Sequence, residues 1–445
     1  MTINWQAVEQ ESLGYFRALL RINTTNPPGN ETAAAQYLAD ILSREGIPAQ
    51  VVESAPGRGS VLGRLEGPAG EKPLLFLSHL DVVPTEPQAW QHNPFGGELV
   101  DGYVWGRGAV DTKQLTIQEL MVLLLLKREG IRLKKGITLA ATADEEMGGD
   151  WGVKWLLENR PELLDCDYSI NEGGGFGLKI NERSVYLVQT AEKGVCWFRI
   201  RVKGKPGHAS IPKGENAVVD LAAVIGRAGT ARLPQHNTAT VREMIGGLSH
   251  VLRFPASWLL RGMLVPWLSP LLVRLLPSQG VLGPILWAIT HNTASPTILR
   301  AGEKTNVIPS TAEAQIDGRV LPGQDFQSLL TELRPYLGDK AEVEPIKTSE
   351  GTEVDYRTDL YRLFGQALAE HDPGSVAIPF MVPGGTDGRF LVAQGKRIYG
   401  FSPMKQEPGI SVLELAHAHN ERLSVQNLMF GMRVLYDVVR RFCAG

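Results

Sequence analysis

Residues 73–81 read PLLFLSHLD, an apolar run from Pro73 to Ser78 that breaks into His79, Leu80 and Asp81. A short, continuously apolar segment stopped by charge is the pattern of a strand buried on both faces that ends at a site. Residues two apart on a strand share a face, so His79 and Asp81 can address one place. The pattern recurs. GITLAATAD (136–144) runs into Glu145 and Glu146, and YSIN (168–171) runs into Glu172 and three glycines. Asp111 lies in GRGAVDTK (106–113), a glycine-bearing loop before a helix expected over 114–129. In open α/β sheets, ligands collect beyond the carboxyl ends of the strands. Each residue alone has an ordinary explanation: a turn histidine, a solvated Glu-Glu pair, an Asp capping a helix. Their convergence shifts the balance, because crowded buried carboxylates repel one another and need cations. Histidine with several carboxylates suits zinc or a related divalent ion.

Working outward, apolar spacing predicts helices over 4–20 and 31–45, and strands over 49–52, 60–65, 136–143 and 168–171. Strands alternating with helices of this length indicate an α/β class with a mostly parallel sheet flanked by helices. The style changes near Gly194. Strands at 195–202, 297–301, 310–320 and 341–346, with helices at 216–228 and 325–337, form a smaller α+β unit of β-α-β-β-α-β order. After Thr352 the first style returns, with helices over 359–370 and 425–442 and a strand at 397–401. The expected division is 1–193 and 351–445 as two parts of one catalytic domain, with 194–350 inserted between them. That insert carries an apolar insertion of its own at about 240–292.

Composition narrows the function classes. The 445 residues are 43% hydrophobic, which excludes a disordered chain. Forty-five basic against 48 acidic residues, without a basic run, leave no footprint for nucleic acid. Three cysteines make no disulfide framework, and Cys166 reads as a small core residue. The first residues lack a basic stretch followed by an apolar one, so a cytoplasmic, reducing location is the default. Residues 251–290 are very apolar, with three arginines, no acid and prolines at 255, 266, 270, 277 and 284. Those prolines argue against a spanning helix, and membrane association is not the leading expectation. The segment reads as short helices that are buried or face a partner. They would cover a site mouth or a subunit contact. A peripheral membrane or protein-docking role is the alternative. No G-x-S-x-G, H-E-x-x-H or P-loop string occurs, and GGGFG (173–177) lacks the dinucleotide spacing.

SHLDVVP, GRGAVDTK, ADEEMGG, INEGG, GKPGHAS, TNVIP, GGTDGRFL, GFSPM and HAHNERL occur in that order across nearly the whole chain. With these strings the chain resembles the M20 family of co-catalytic di-zinc metallopeptidases, and is nearest the aminoacylase and carboxypeptidase S branch. The resemblance implies a zinc-exopeptidase-like sheet interrupted by a ferredoxin-like lid or dimerisation domain. It implies two Zn2+ per subunit, replaceable by Co2+ or Mn2+, a homodimer, and a small substrate with a free carboxylate, either a dipeptide or an N-acyl amino acid. His79 and Glu172 would hold one metal, Glu146 and a C-terminal histidine the other, and Asp111 both. Of His417 and His419, the family pattern selects His417, four residues before Glu421. Asp81 would buttress His79. Two divalent cations against the ligand carboxylates Asp111, Glu146 and Glu172 leave about one positive charge, which favours hydroxide at the metals. Glu145 would be the general base for its attack on the amide. His208 would steady the oxyanion, from across a dimer interface. Asn306, Arg319, Gly385, Thr386 and Arg389 would bind substrate, with a structural ion pair the other reading of Arg319. A non-catalytic, metal-binding homologue is the competing expectation.

Overall fold

The computed structural model describes residues 3–211, 214–275, 282–407, 409–410 and 412–444; residues 276–281 of the apolar segment lie outside the described residues. The chain divides into two compact units, the first built from Met1–Thr190, Val354–Phe380 and Thr386–Gly445, the second from Ala191–Glu353 and Met381–Gly385.

The first unit is organised around the strand that opened the sequence. Leu74–His79 is buried throughout and pairs in parallel with Ile137–Thr142 on one side and Tyr168–Asn171 on the other. Arg397–Gly400 extends the parallel set beside Tyr168–Asn171. The register sets His79 opposite Thr142 and Phe76 opposite Ile170. The charged residues that follow these strands therefore emerge at one edge of the sheet. Away from this centre the pairing turns antiparallel: Gly59–Leu65 against Ile137–Thr142, Ala49–Glu53 against Gly59–Leu65, and Phe176–Ile180 against Arg183–Glu192. Short connections close antiparallel pairs, whereas parallel pairs need a long crossover. The crossover between Leu74–His79 and Ile137–Thr142 carries the helix Lys113–Arg128, buried at every position from Lys113 to Leu126. It packs against the helices Trp5–Arg21 and Val425–Cys443, so its apolar surface is covered all round. Several strands escape the sequence reading, among them Glu98–Val100, Tyr103–Trp105, the long Arg183–Glu192 and two with a visible reason. Val376–Val382 contains Pro379, which lowers its strand signal, and Phe176–Ile180 begins inside the glycine run read as loop.

In the second unit the strand order is Thr293–Ala301, Thr311–Val320, Gly194–Lys203, Ala341–Thr348, all antiparallel. Helices Ala217–Gly229 and Phe326–Leu337 complete a β-α-β-β-α-β unit, packing Leu221, Val224, Leu329 and Leu333 with Phe198, Ile200 and Ile316. The apolar segment forms Ala256–Gly262, Ser269–Leu275 and Leu282–Ala288, after the helix Ala239–Val251. Pro255 caps the first of these helices, and Pro270 and Pro284 fall in the first turns of the other two. Proline is tolerated there because the first N–H groups of a helix lack intrahelical partners. Among the described residues, no helix is long and apolar enough to cross a membrane.

Candidate metal centre

The strand ends of the first unit and two of its loops bring two imidazoles and four carboxylates together. His79 is buried; its Nε2 lies 3.1 Å from Asp111 Oδ1 and 3.4 Å from Glu172 Oε2. On the opposite side of Asp111, His417 Nε2 lies 3.2 Å from Oδ2 and 3.1 Å from Glu146 Oε2. Asp111 thus presents one oxygen to each histidine. Donor atoms of His79, Glu145 and Glu172 lie within 4.8 Å of one another, as do those of His79, Asp111 and Glu146. His419 lies elsewhere, its Nε2 3.8 Å from the exposed Glu86.

The backbone that presents these groups is itself held by buried polar contacts. Asp81 accepts from the Glu145 N–H through Oδ1 and from the Glu146 N–H through Oδ2, each at 3.1 Å. It also stands 3.5 Å from His79 Nδ1, whose nearer contact is the Asp81 carbonyl at 3.0 Å. Asp81 therefore holds the ring of a candidate ligand through its carbonyl and the turn carrying the adjacent acids through its carboxylate. Glu421 does the same for Asp111. Its Oε1 accepts from the N–H groups of Val110 at 2.7 Å and Asp111 at 3.0 Å, and its Oε2 from Gly108 at 3.1 Å. Arg107 pairs with Glu421 at 2.7 Å and donates to the His417 carbonyl at 3.2 Å. Behind Glu172, a Cβ on Gly174 would run into the backbone of Gln189 and Gly400, so this loop can pack closely only without side chains.

A third support was not singled out in the sequence. Asn26 donates to Asp81 at 2.8 Å and to Asp144 at 3.1 Å. Arg58 pairs with Asp144, lies 3.2 Å from the buried Glu31, and donates to Asn26 at 3.1 Å and to the Pro28 carbonyl at 2.9 Å. Asp144 adopts a left-handed φ of 72° immediately before Glu145, and His417 one of 63°. Such conformations persist where surroundings over-determine them; Asp144 flanks the cluster and His417 belongs to it. Removing Arg58 would leave Glu31 and Asp144 as uncompensated buried carboxylates. Arg58→Met is expected to cost about 3–5 kcal/mol, read as a lower urea midpoint, with part of the loss recovered in Arg58→Met/Glu31→Gln. An unchanged midpoint would remove the arginine from this role.

Electrostatics at the cluster describe acids short of positive charge. Burial raises the carboxyl pKa of Glu145, Glu146 and Glu172, and the neighbouring acids raise them further. Burial likewise pushes Asp387 up to about 7; both its oxygens are buried without a hydrogen-bond partner among the described residues. For Asp111, burial is outweighed by the two histidines, which hold its carboxyl far below the usual range. Burial would lower His79, yet Glu172, Asp111 and Asp81 together raise it well above an ordinary imidazole. His417 is raised to about 10 by its bonds to Asp111 and Glu146. Glu146 Oε1 is also buried and unpartnered among the described residues. This donor set fits two divalent cations: imidazole and carboxylate only, with one carboxylate central to both histidines.

The remaining candidates fall as follows. His208, in the second unit, pairs with Val307 across a two-residue ladder and contacts Ser210 Oγ at 2.7 Å through Nδ1. Asn306 is its neighbour, the Asn306 carbonyl accepting from the Ala209 N–H at 3.1 Å. Arg319 is bidentate with Asp317 at 2.7 and 3.1 Å, the ion pair that was its other reading. In the first unit, Arg389 donates to the carbonyls of Thr386 at 2.7 Å and Gly148 at 2.8 Å. Thr386 is buried, its hydroxyl accepting from Asn171 at 2.9 Å. Gly385 closes the second unit's final segment.

A family model described as peptidase family M20/M25/M40 matches residues 75–441. Over 367 residues the chain is 31% identical to an N-fatty-acyl-amino acid synthase/hydrolase of Xenopus tropicalis, spanning 79% of this chain and 69% of that one. It is 29% identical to human aminoacylase-1 over 436 residues, 95% of this chain and 93% of the relative. The solved M20 family metallo-carboxypeptidase Sso-CP2 of Sulfolobus solfataricus shares the fold with a TM-score of 0.73 at 18% identity, covering 97% of this chain and 98% of that one.

Proposed function

This chain belongs to the M20/M25/M40 peptidase family, and from that premise we propose that it is a two-zinc hydrolase of N-acyl amino acids, cleaving the amide beside a free carboxylate. The observation that carries this reading is Asp111, whose two oxygens face His79 and His417 at 3.1 and 3.2 Å. The choice of N-acyl amino acids over dipeptides rests on the likeness to aminoacylase-1 and to an N-fatty-acyl-amino acid hydrolase over most of the chain.

His79 and Glu172 would hold one cation, His417 and Glu146 the other, and Asp111 both. Two bound cations supply Lewis acidity, polarising an amide carbonyl and lowering the pKa of water. Glu145 takes the proton of the attacking water and returns it to the nitrogen of the leaving amine. Its neighbour Glu146 would hold a cation, so the two adjacent acids would divide the work. Asp81 positions both through their N–H groups and orients the His79 ring. Substrate binding is assigned to Asn306, Arg319, Gly385, Thr386 and Arg389, and support of the oxyanion to His208. Because Arg319 and Arg389 already bond to Asp317 and to backbone carbonyls, we rank Asn306 and His208 ahead of them. The active form is a homodimer in a reducing, cytoplasmic setting, in keeping with Cys166, Cys196 and Cys443 as buried free thiols.

The test is a substrate panel with protein loaded separately with Zn2+, Co2+ or Mn2+. N-acyl amino acids should turn over at least ~10-fold faster than their methyl esters, since a charge-assisted bond to the carboxylate is worth about 1.5–3 kcal/mol. Faster cleavage of dipeptides, or indifference to the methyl ester, would defeat the substrate assignment.

A further inference from the structure

Four large apolar side chains lie open within a short stretch of the second unit: Phe254 is 82% exposed, Trp258 62%, Trp267 80% and Leu271 56%. Single exposed apolar residues are ordinary, but a cluster of aromatic ones marks a contact surface. They come in two pairs, Phe254 with Trp258 and Trp267 with Leu271, each spaced by four residues. Trp258 belongs to the helix Ala256–Gly262 and Leu271 to Ser269–Leu275. Met263 and Leu272 are buried beneath, so these short helices already have a packed inner side. Phe254, Trp258 and Trp267 stay open to solvent on and beside these helices, uncovered among the described residues.

Charge decides what would cover them. From Val251 to Thr290 there are three arginines and no aspartate or glutamate. Arg253 and Arg261 are exposed among the aromatics. A second copy docking through the same face would set arginines against arginines with no acid from this segment to offset them. An anionic lipid surface meets both features. Tryptophan favours the boundary between headgroups and acyl chains, and arginine the negative headgroups. Helices of seven residues, roughly 10 Å long, are far too short for the ~30 Å hydrocarbon core but can lie along its surface.

We propose that the outer face of residues 253–271 docks on an anionic membrane surface, with Phe254, Trp258 and Trp267 seated among the headgroups and Arg253 and Arg261 against their negative charges. This surface is independent of the metal centre and of the substrate assigned to it.

The experiment is co-sedimentation of the full-length, metal-loaded protein with phosphatidylcholine vesicles and with phosphatidylcholine/phosphatidylserine vesicles. Binding to the anionic vesicles should exceed binding to the neutral ones by tenfold or more, since each arginine near such a surface contributes about fivefold. Raising the salt to 0.5 M should weaken it. Phe254→Ser/Trp258→Ser/Trp267→Ser should abolish sedimentation while thermal unfolding stays unchanged. Arg253→Glu, a milder change at an exposed position, should weaken it alone. Failure to sediment with either vesicle overturns the proposal, as does equal, salt-insensitive binding to both. A dimer that the triple variant dissociates, without vesicle binding, would make the face a self-association surface instead.

Discussion

Glu145→Gln should leave the protein folded and its cation content unchanged while turnover falls by about 10²–10⁴-fold. Glutamine keeps the length of the side chain, and the backbone N–H that anchors this turn to Asp81 is untouched. What disappears is the ability to accept a proton from water and deliver it to the departing nitrogen. The experiment also separates two roles that proximity alone leaves open, because a Glu145 oxygen lies close enough to His79 and Glu172 to be a ligand. Elemental analysis of the purified variant decides between them. Two cations per chain with turnover lost makes Glu145 the proton carrier, whereas loss of one cation makes it a ligand and overturns the assignment. Glu146→Gln is the control and should show the opposite pattern, a fall in bound metal together with activity.

Asp111→Asn is expected to have a still broader effect, lowering bound metal from two cations to one or none and turnover by about 10³-fold or more. Asp111 presents an oxygen to each histidine, and Glu421 holds its backbone through the N–H groups of Val110 and Asp111. An amide removes the negative charge that lets two divalent cations lie close together, leaving two ligand carboxylates against four positive charges. The change is nearly isosteric, so the fold should survive, and the reading is metal stoichiometry beside kcat. Retention of two cations with full activity would show that Asp111 does not join the two halves of the site.

The candidate site was legible wherever a strand announced itself. The apolar runs before His79, Glu145 and Glu172 are long enough to mark buried strands, and parallel pairing of such strands delivers their ends to one edge. The supports of the site were far less legible. Asn26 and Arg58 sit in polar stretches with no periodicity, and their partners Asp81 and Asp144 are dozens of residues away. Arg107 and Glu421, a buried pair at 2.7 Å, are more than three hundred residues apart in the chain. No local rule links such residues, because their pairing energy exists only once burial has removed water from both.

The sequence alone therefore determined the α/β class and the acids and histidine placed at the ends of buried strands, since these follow from hydrophobic periodicity, while the hydrolase family followed from the order of its motifs. Tertiary structure decided what depends on distance. It set His417, and not His419, beside Asp111 and Glu146, although both are histidines of one short motif. It engaged Arg319 with Asp317 and Arg389 with backbone carbonyls, contacts that composition leaves open. For residues 251–275 the sequence showed an apolar, acid-free stretch, and only the folded helices separated the buried Met263 and Leu272 from the open Phe254, Trp258 and Trp267. Which side of a helix meets water is settled by what packs against it, and that partner lies elsewhere in the chain.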